Sequence, residues 1–227
     1  MTTSKDRNKT GKSKDQSGPA KPTATKPKSK VPIMAIAFTG IAAVLVIAVV
    51  FSGGTSLGSE YGDPTVTGES LPFFTDTAND EAVGLPAPEV EGADFDGNSV
   101  TINNDGRAKA IGFFAHWCPH CQVEVPRVTE WLAAGGGVEG VDMYSVATSM
   151  NSARENFPSS EWLERENWTV PVIADDQEGT AHLSYGGGGF PYWVFVDAEG
   201  NVVARTAGQL EIPTLEGLMQ LAAGSGA

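Results

Sequence analysis

Only two cysteines occur in the 227 residues, and they stand two residues apart in Trp117-Cys118-Pro119-His120-Cys121. A short apolar run, Ala110-Ile111-Gly112-Phe113-Phe114, precedes them, and apolar residues at helical spacing, Val125, Val128 and Leu132, follow. That pattern predicts a buried strand running into an amphipathic helix, with the cysteines at the junction. No other cysteine is present to form a competing structural disulfide. Two cysteines spaced in this way at a strand-to-helix turn read as a redox pair.

The chemistry accounts for the spacing. A sulfur at a helix start faces free backbone N–H groups and the positive end of the helix dipole, both of which favour the thiolate. Cys118 is therefore the expected nucleophile. Cys121, nearly one turn on, is the expected resolving thiol and the more buried of the two. Pro119 suits a first helical turn, where its missing N–H is not needed. A partly protonated His120 beside a Cys118 thiolate stabilises the reduced form. Each pKa unit gained there is worth about 1.4 kcal/mol, or about 30 mV for a two-electron couple. The Pro-His dipeptide thus points towards oxidising strength. Two blander readings stand beside this one, an inert buried pair and a zinc site built with His116 and His120. Four donors within six consecutive residues at a helix start converge poorly on one ion, so no metal is expected, and no organic cofactor either.

Charge divides the chain. Residues 1–30 carry nine Lys/Arg against Asp6 and Asp15, whereas the remainder carries six Lys/Arg against 26 Asp/Glu. The first segment is also rich in Ser, Thr, Pro and Gly, the composition of a disordered arm. Residues 31–51 contain no charged side chain. They are long enough for a single transmembrane helix and longer than the apolar part of a cleaved signal peptide. The arm before them predicts a cytoplasmic N-terminus and an extracytoplasmic C-terminal domain. Cleavage after the run is the competing reading. Nucleic-acid binding is not expected, because the basic residues directly precede an apolar span and the rest of the chain is acidic. Residues 52–83 have the composition of a flexible linker, with Leu71, Phe73 and Phe74 as residues able to dock.

From residue 84 onward the pattern is α/β. Asp96-Gly97-Asn98 and Ala198-Glu199-Gly200 are hairpin turns. Strands are expected at 108–115, 141–147, 170–174, 192–196 and 201–206. Helices are expected at 118–133, 159–167, 178–183 and 213–223. His116 and His182 read as solvated or internally satisfied histidines, and Trp162, Trp168 and Trp193 as packing residues.

Taken together, Leu85-Pro86-Ala87-Pro88 leading into Asp96-Gly97-Asn98, the Trp117 to Cys121 motif, Glu124, Pro126 and Phe190-Pro191 resemble the thioredoxin-fold, TlpA/ResA-like group of membrane-anchored thiol–disulfide oxidoreductases. The resemblance covers roughly the last 140 residues. It implies a thioredoxin-like fold with a mixed central sheet flanked by helices, preceded by a single transmembrane helix. It also implies exchange with cysteine-containing protein substrates and a membrane redox partner, and a monomer is expected. Pro191 is implied to be cis against the disulfide, with Phe190, Pro191 and Trp117 meeting the substrate. Glu124 is implied to exchange protons with Cys121. Thioredoxins proper carry a buried aspartate where this chain has Gly112, which strengthens the case for Glu124. The Pro-His dipeptide matches instead the disulfide-introducing periplasmic oxidases. Their long helical insertion is absent, because only about 25 residues separate the 141 and 170 strands. The direction of electron flow, oxidase or reductase, stays open. A redox-inactive binding module and a metallochaperone on the same scaffold are the alternatives from other functional classes.

Overall fold

The computed structural model describes residues 60–224. The basic arm, the uncharged run at 31–51 and residues 52–59 lie outside the described residues. Among the described residues no helix is long and apolar enough to cross a membrane.

The sheet is organised around β4 (Ala108–Phe114), which is buried at every position. A strand covered on both faces reads as a continuous apolar run rather than an alternation. Lys109 interrupts that run and is satisfied locally, its ammonium donating to Asp105 Oδ1 at 2.6 Å and to the Arg107 carbonyl at 3.0 Å. On one side of β4 lie β5 (Val141–Ala147) and then β6 (Val172–Ala174), both parallel. On the other lie β7 (Tyr192–Val196), antiparallel to β4, and then β8 (Val202–Ala207), antiparallel to β7, giving the order β6-β5-β4-β7-β8. Parallel neighbours require crossovers, and these carry α1 (Pro119–Ala133) and α2 (Ser159–Arg165). Two further helices, α3 (Thr180–Ser184) and α4 (Ile212–Ala222), complete the thioredoxin-like α/β fold.

Alternation along β7 separates the two cores. Trp193 and Phe195 join Cys121, Val125, Val128, Phe114, Leu215 and Met219 on the α1/α4 face. Tyr192, Val194 and Val196 join Ile111, Phe113, Val146 and Tyr185 on the other. That second face is covered in part by a three-stranded antiparallel sheet of β1 (Thr65–Thr67), β2 (Glu89–Ala93) and β3 (Ser99–Ile102). The β2–β3 turn is held by Asp94, whose Oδ1 accepts the N–H groups of Asp96 and Asn98 at 2.9 and 2.8 Å.

Residues 60–83 depart from the linker that composition suggested. They run across the domain as a strap. The N–H groups of Gly62, Leu71 and Phe74 donate to the carbonyls of Asp175, Ser184 and Gly186. Leu71 is buried and Phe74 packs on Tyr192 at 5.5 Å, whereas Phe73 is left in solvent. The fastening is Arg205 of β8. Its Nε donates to Asp80 Oδ2 at 2.8 Å, its Nη2 donates to Oδ1, and its Nη1 reaches the carbonyls of Pro72 and Tyr185 at 2.8 and 3.1 Å. Burial alone would raise the Asp80 carboxyl, but the Arg205 and Ala82 hydrogen bonds and the guanidinium charge hold it below the usual range. A local composition reading misses this because, apart from β1 with its partner β2, the groups that hold the strap lie far away in the chain.

Candidate active site

Cys118 occupies the N-cap position of α1, with extended backbone angles of φ −79° and ψ 119°. Its side chain makes no capping bond, so the sulfur stays at the helix start, where the terminal N–H groups concentrate positive potential. Pro119 follows in the first turn, and α1 continues to Ala133 despite the N–H missing at Pro126. Both cysteines are free thiols and both are buried, Cys118 at 7% exposure and Cys121 at 0%.

The Cys118 thiol donates to the Phe190 carbonyl at 3.5 Å, and the Phe190–Pro191 peptide is cis. The β4–α1 junction and the α3–β7 loop therefore meet at one sulfur. Trp117 closes one side. Its ring lies edge-on to Phe190 at 6.1 Å, and its indole N–H donates to the Ser149 carbonyl at 2.7 Å. His120 is exposed and turned towards the segment between β8 and α4, with Nδ1 2.9 Å from Gln209 Oε1.

Glu124 is fully buried behind Cys121. Each carboxyl oxygen accepts one hydrogen bond, Oε1 from the Trp193 indole N–H at 2.5 Å and Oε2 from the Leu210 N–H at 2.8 Å. Two donors facing two oxygens suit a carboxylate, which accepts only. Burial acts the other way and prevails, holding the Glu124 carboxyl above its ordinary value. Cys121 is pushed strongly upward, first by burial and further by the neighbouring Cys118 and Glu124 charges. The site thus pairs a thiol at a helix start with a second thiol that releases its proton only reluctantly, next to a carboxyl displaced towards neutrality.

Trp193, read from sequence as packing, is a hydrogen-bond donor to that carboxyl. Its place, with that of Phe114, explains Gly112. The two residues pair across β4 and β7, and a Cβ at Gly112 would lie 2.7 Å from Phe114 Cζ and 3.0 Å from Trp193 Cη2. No aspartate fits there, because the Phe114 ring, with the indole that serves Glu124 just beyond it, fills the space. The signal was present in the β7 alternation, which turns Trp193 towards α1, but spacing alone does not show which group its N–H reaches.

His116 is internally satisfied. Nδ1 donates to the Glu155 carbonyl at 2.6 Å and Nε2 accepts the Asn151 N–H at 3.1 Å, so both ring nitrogens are engaged and neither serves a zinc site with the thiols. Burial keeps this imidazole below its usual pKa. Among the described residues no cluster of three or more His, Cys, Asp or Glu has the arrangement of a metal site.

His182 is buried against Phe190, with ring centroids 4.8 Å apart, and lies 3.1 Å from the Gly188 carbonyl through Nε2. Burial pulls its pKa from 6.5 down to about 4. The unfolded chain therefore takes up this proton first. The stability derived from the neutral ring is fully present above 6.5 and is lost as pH falls towards about 4. The loss at this one group is about 3 kcal/mol. Urea unfolding at pH 7 and pH 4.5 should show that His182→Phe removes much of the acid-induced loss seen in the parent chain.

Three comparisons bear on this site. The Redoxin family model matches residues 82–219. Among curated proteins, the chain is 27% identical over 117 residues to the thiol:disulfide interchange protein TxlA homolog of Synechocystis, covering 52% of this chain and 50% of that one. It is 30% identical over 124 residues to the soluble secreted antigen MPT53 of Mycobacterium tuberculosis, covering 54% of this chain and 64% of the antigen. It is 26% identical over 167 residues to the thiol:disulfide interchange protein DsbE of Pseudomonas aeruginosa, covering 74% and 81% respectively. The chain thus spans about half to two thirds of the first two relatives. The solution structure of a candidate protein disulfide isomerase from Bacteroides thetaiotaomicron superposes with a TM-score of 0.51 at 20% identity, covering 67% of this chain and 91% of that one, a likeness of fold. With the Redoxin match spanning most of the described residues, from the strap's end into α4, the chain belongs to the Redoxin family.

Proposed function

We propose that this chain catalyses thiol–disulfide exchange with cysteine-containing protein substrates, Cys118 acting as nucleophile and Cys121 as resolving thiol. The observation that carries the reading is the Cys118 sulfur at the start of α1, directed at the Phe190 carbonyl beside cis-Pro191. A substrate strand laid along that backbone brings its own sulfur to Cys118. In the reducing direction, the Cys118 thiolate attacks one sulfur of a substrate disulfide, and the second substrate sulfur leaves and takes a proton. Cys121 then loses its proton to Glu124 and attacks the Cys118 sulfur, and the substrate sulfur that had been joined to Cys118 leaves and takes a proton. The substrate gains two electrons, the enzyme is left with a Cys118–Cys121 disulfide, and an external dithiol restores it. Read backwards, the same steps oxidise a substrate dithiol.

Trp117, Phe190 and Pro191 form the surface for the substrate in this scheme, and His120 and Pro119 set the environment of the attacking sulfur. Neither a metal nor an organic cofactor takes part. The uncharged run at 31–51 behind nine basic residues supports a membrane anchor with the domain outside the cytoplasm, where disulfide chemistry is sustained. Electrons then pass to or from a membrane redox partner. The equilibrium potential against glutathione decides the direction: a value near −120 mV favours oxidation, and one well below −200 mV favours reduction.

Insulin reduction with dithiothreitol as electron donor tests the reading. The parent chain should accelerate the reaction and Cys118→Ser should not, while Cys121→Ser should accumulate a mixed disulfide with the substrate. Equal turnover by the parent and Cys118→Ser would remove Cys118 from the chemistry.

A further inference from the structure

We propose that Arg154 makes this site selective for substrates bearing a carboxylate side chain one or two residues from the reacting cysteine. The inference rests on the exchange reading above and names the class of sequence that the site prefers.

The 149–157 segment is fixed from below. His116 Nδ1 donates to the Glu155 carbonyl, His116 Nε2 accepts from Asn151, and Trp117 Nε1 donates to Ser149. Gln122 Nε2 reaches the His116 carbonyl at 3.0 Å and the Glu155 carboxylate at 3.5 Å. The two residues just before Cys118 therefore hold this segment against the thiol site. Held in this way, Arg154 places its guanidinium carbon 4.9 Å from the centroid of the Trp117 ring. Trp117 in turn touches Phe190, the residue whose carbonyl receives the Cys118 thiol. A guanidinium resting on an indole keeps its in-plane N–H donors available for a carboxylate.

Arg154 also stands apart from the other cations. From residue 60 onward there are six Lys/Arg against 26 Asp/Glu. Arg107, Lys109, Arg127 and Arg205 pair with Asp142, Asp105, Glu211 and Asp80. Arg165 donates to Asn156 Oδ1 at 2.9 Å. Among the described residues no carboxylate lies within ion-pair distance of Arg154, although acids outnumber bases more than fourfold. Of the two exposed arginines that no acid pairs, Arg165 is taken up by the Asn156 amide and Arg154 is the one on the rim of the thiol site. An extended substrate advances about 3.4 Å per residue, so a glutamate next to its cysteine reaches the guanidinium from the Phe190 side. The acidic remainder of the surface repels such substrates. Arg154 reverses that bias locally.

The test uses the full-length chain and three disulfide-bridged peptides that differ only in the residues flanking cysteine, which are Glu, Gln or Lys. The kcat/KM ratio of the Glu to the Lys peptide should be about two to five at low salt, the range of an exposed ion pair, and should fall towards one as salt screens it. In Arg154→Met, which keeps contact with the indole but loses the charge, the ratio should drop below one. Arg154→Lys should restore a ratio above one. A parent ratio at or below one, or an unchanged ratio in Arg154→Met, overturns the inference while leaving the exchange reading intact. Failure of the parent to turn over any peptide faster than Cys118→Ser overturns both.

Discussion

Replacing Arg205 with Met should lower the stability of the domain by about 3–5 kcal/mol, the cost of leaving a buried charge without its partner. The loss goes beyond the ion pair. Both Asp80 oxygens lose their guanidinium donors, and the Pro72 and Tyr185 carbonyls lose theirs, all in a region where the two charged side chains are 1% and 2% exposed. Asp80→Asn should also destabilise the domain, because it leaves the buried Arg205 guanidinium with only neutral acceptors, although the amide oxygen still accepts one of the two bonds. A double-mutant cycle by urea unfolding measures the coupling. Hydrogen exchange should show the amides of Leu71 and Phe74, which bind the Ser184 and Gly186 carbonyls, losing protection in Arg205→Met before the central strands do. The pair also sets an acid limit. Because the Asp80 pKa is depressed, its contribution is fully present above the ordinary 3.8 and is lost as pH falls through the lower folded value. A change below 1 kcal/mol in Arg205→Met would show that the strap is not fastened at this point.

Glu124→Gln should slow the resolving step by about a hundredfold or more, the usual contribution of a positioned proton acceptor. The first attack by Cys118 should be affected far less. The asymmetry follows from position: Glu124 adds to the upward push on the Cys121 thiol, which burial already holds in its protonated form. Single-turnover mixing should therefore show a mixed disulfide that persists in the variant and decays quickly in the parent. The pH dependence separates a proton acceptor from a packing residue. A carboxyl accepts a proton only when ionised, so the parent's resolving rate should climb through a pKa above 4.5, and Glu124→Gln should lose that limb. Trp193→Phe provides the converse. It removes the 2.5 Å donor that favours the carboxylate, so the limb should move to higher pH while the acid is retained. Glu124→Gln also sets its amide group against either the Trp193 or the Leu210 N–H, so its unfolding free energy must be measured alongside.

Much of this was legible in the chain as written. The strand before Cys118, the helix after it and the 141–147 strand are where periodicity places them, because each buries one continuous face and the pattern of burial is written locally. The cysteine spacing and Phe190-Pro191 marked the site itself. His116 was legible as satisfied, though not as the residue that holds the 149–157 segment. The strap at 60–83 was not legible at all as structure. It has few apolar residues, and its order depends on Arg205, which no window centred on the strap contains.

Sequence by itself determined the α/β class, the place of the thiol pair at a helix start and the sharp charge asymmetry between arm and domain. Each of these depends on neighbours within one or two turns or strands. Only the tertiary structure decided that Phe114 and Trp193 fill the space over Gly112, that Trp193 serves Glu124, that Arg205 fastens the strap, and that Arg154 rests on the rim of the site without an acid. Those facts depend on which side chains meet across strands and loops far apart in the chain, and a hydrogen bond between such residues leaves no period in the sequence.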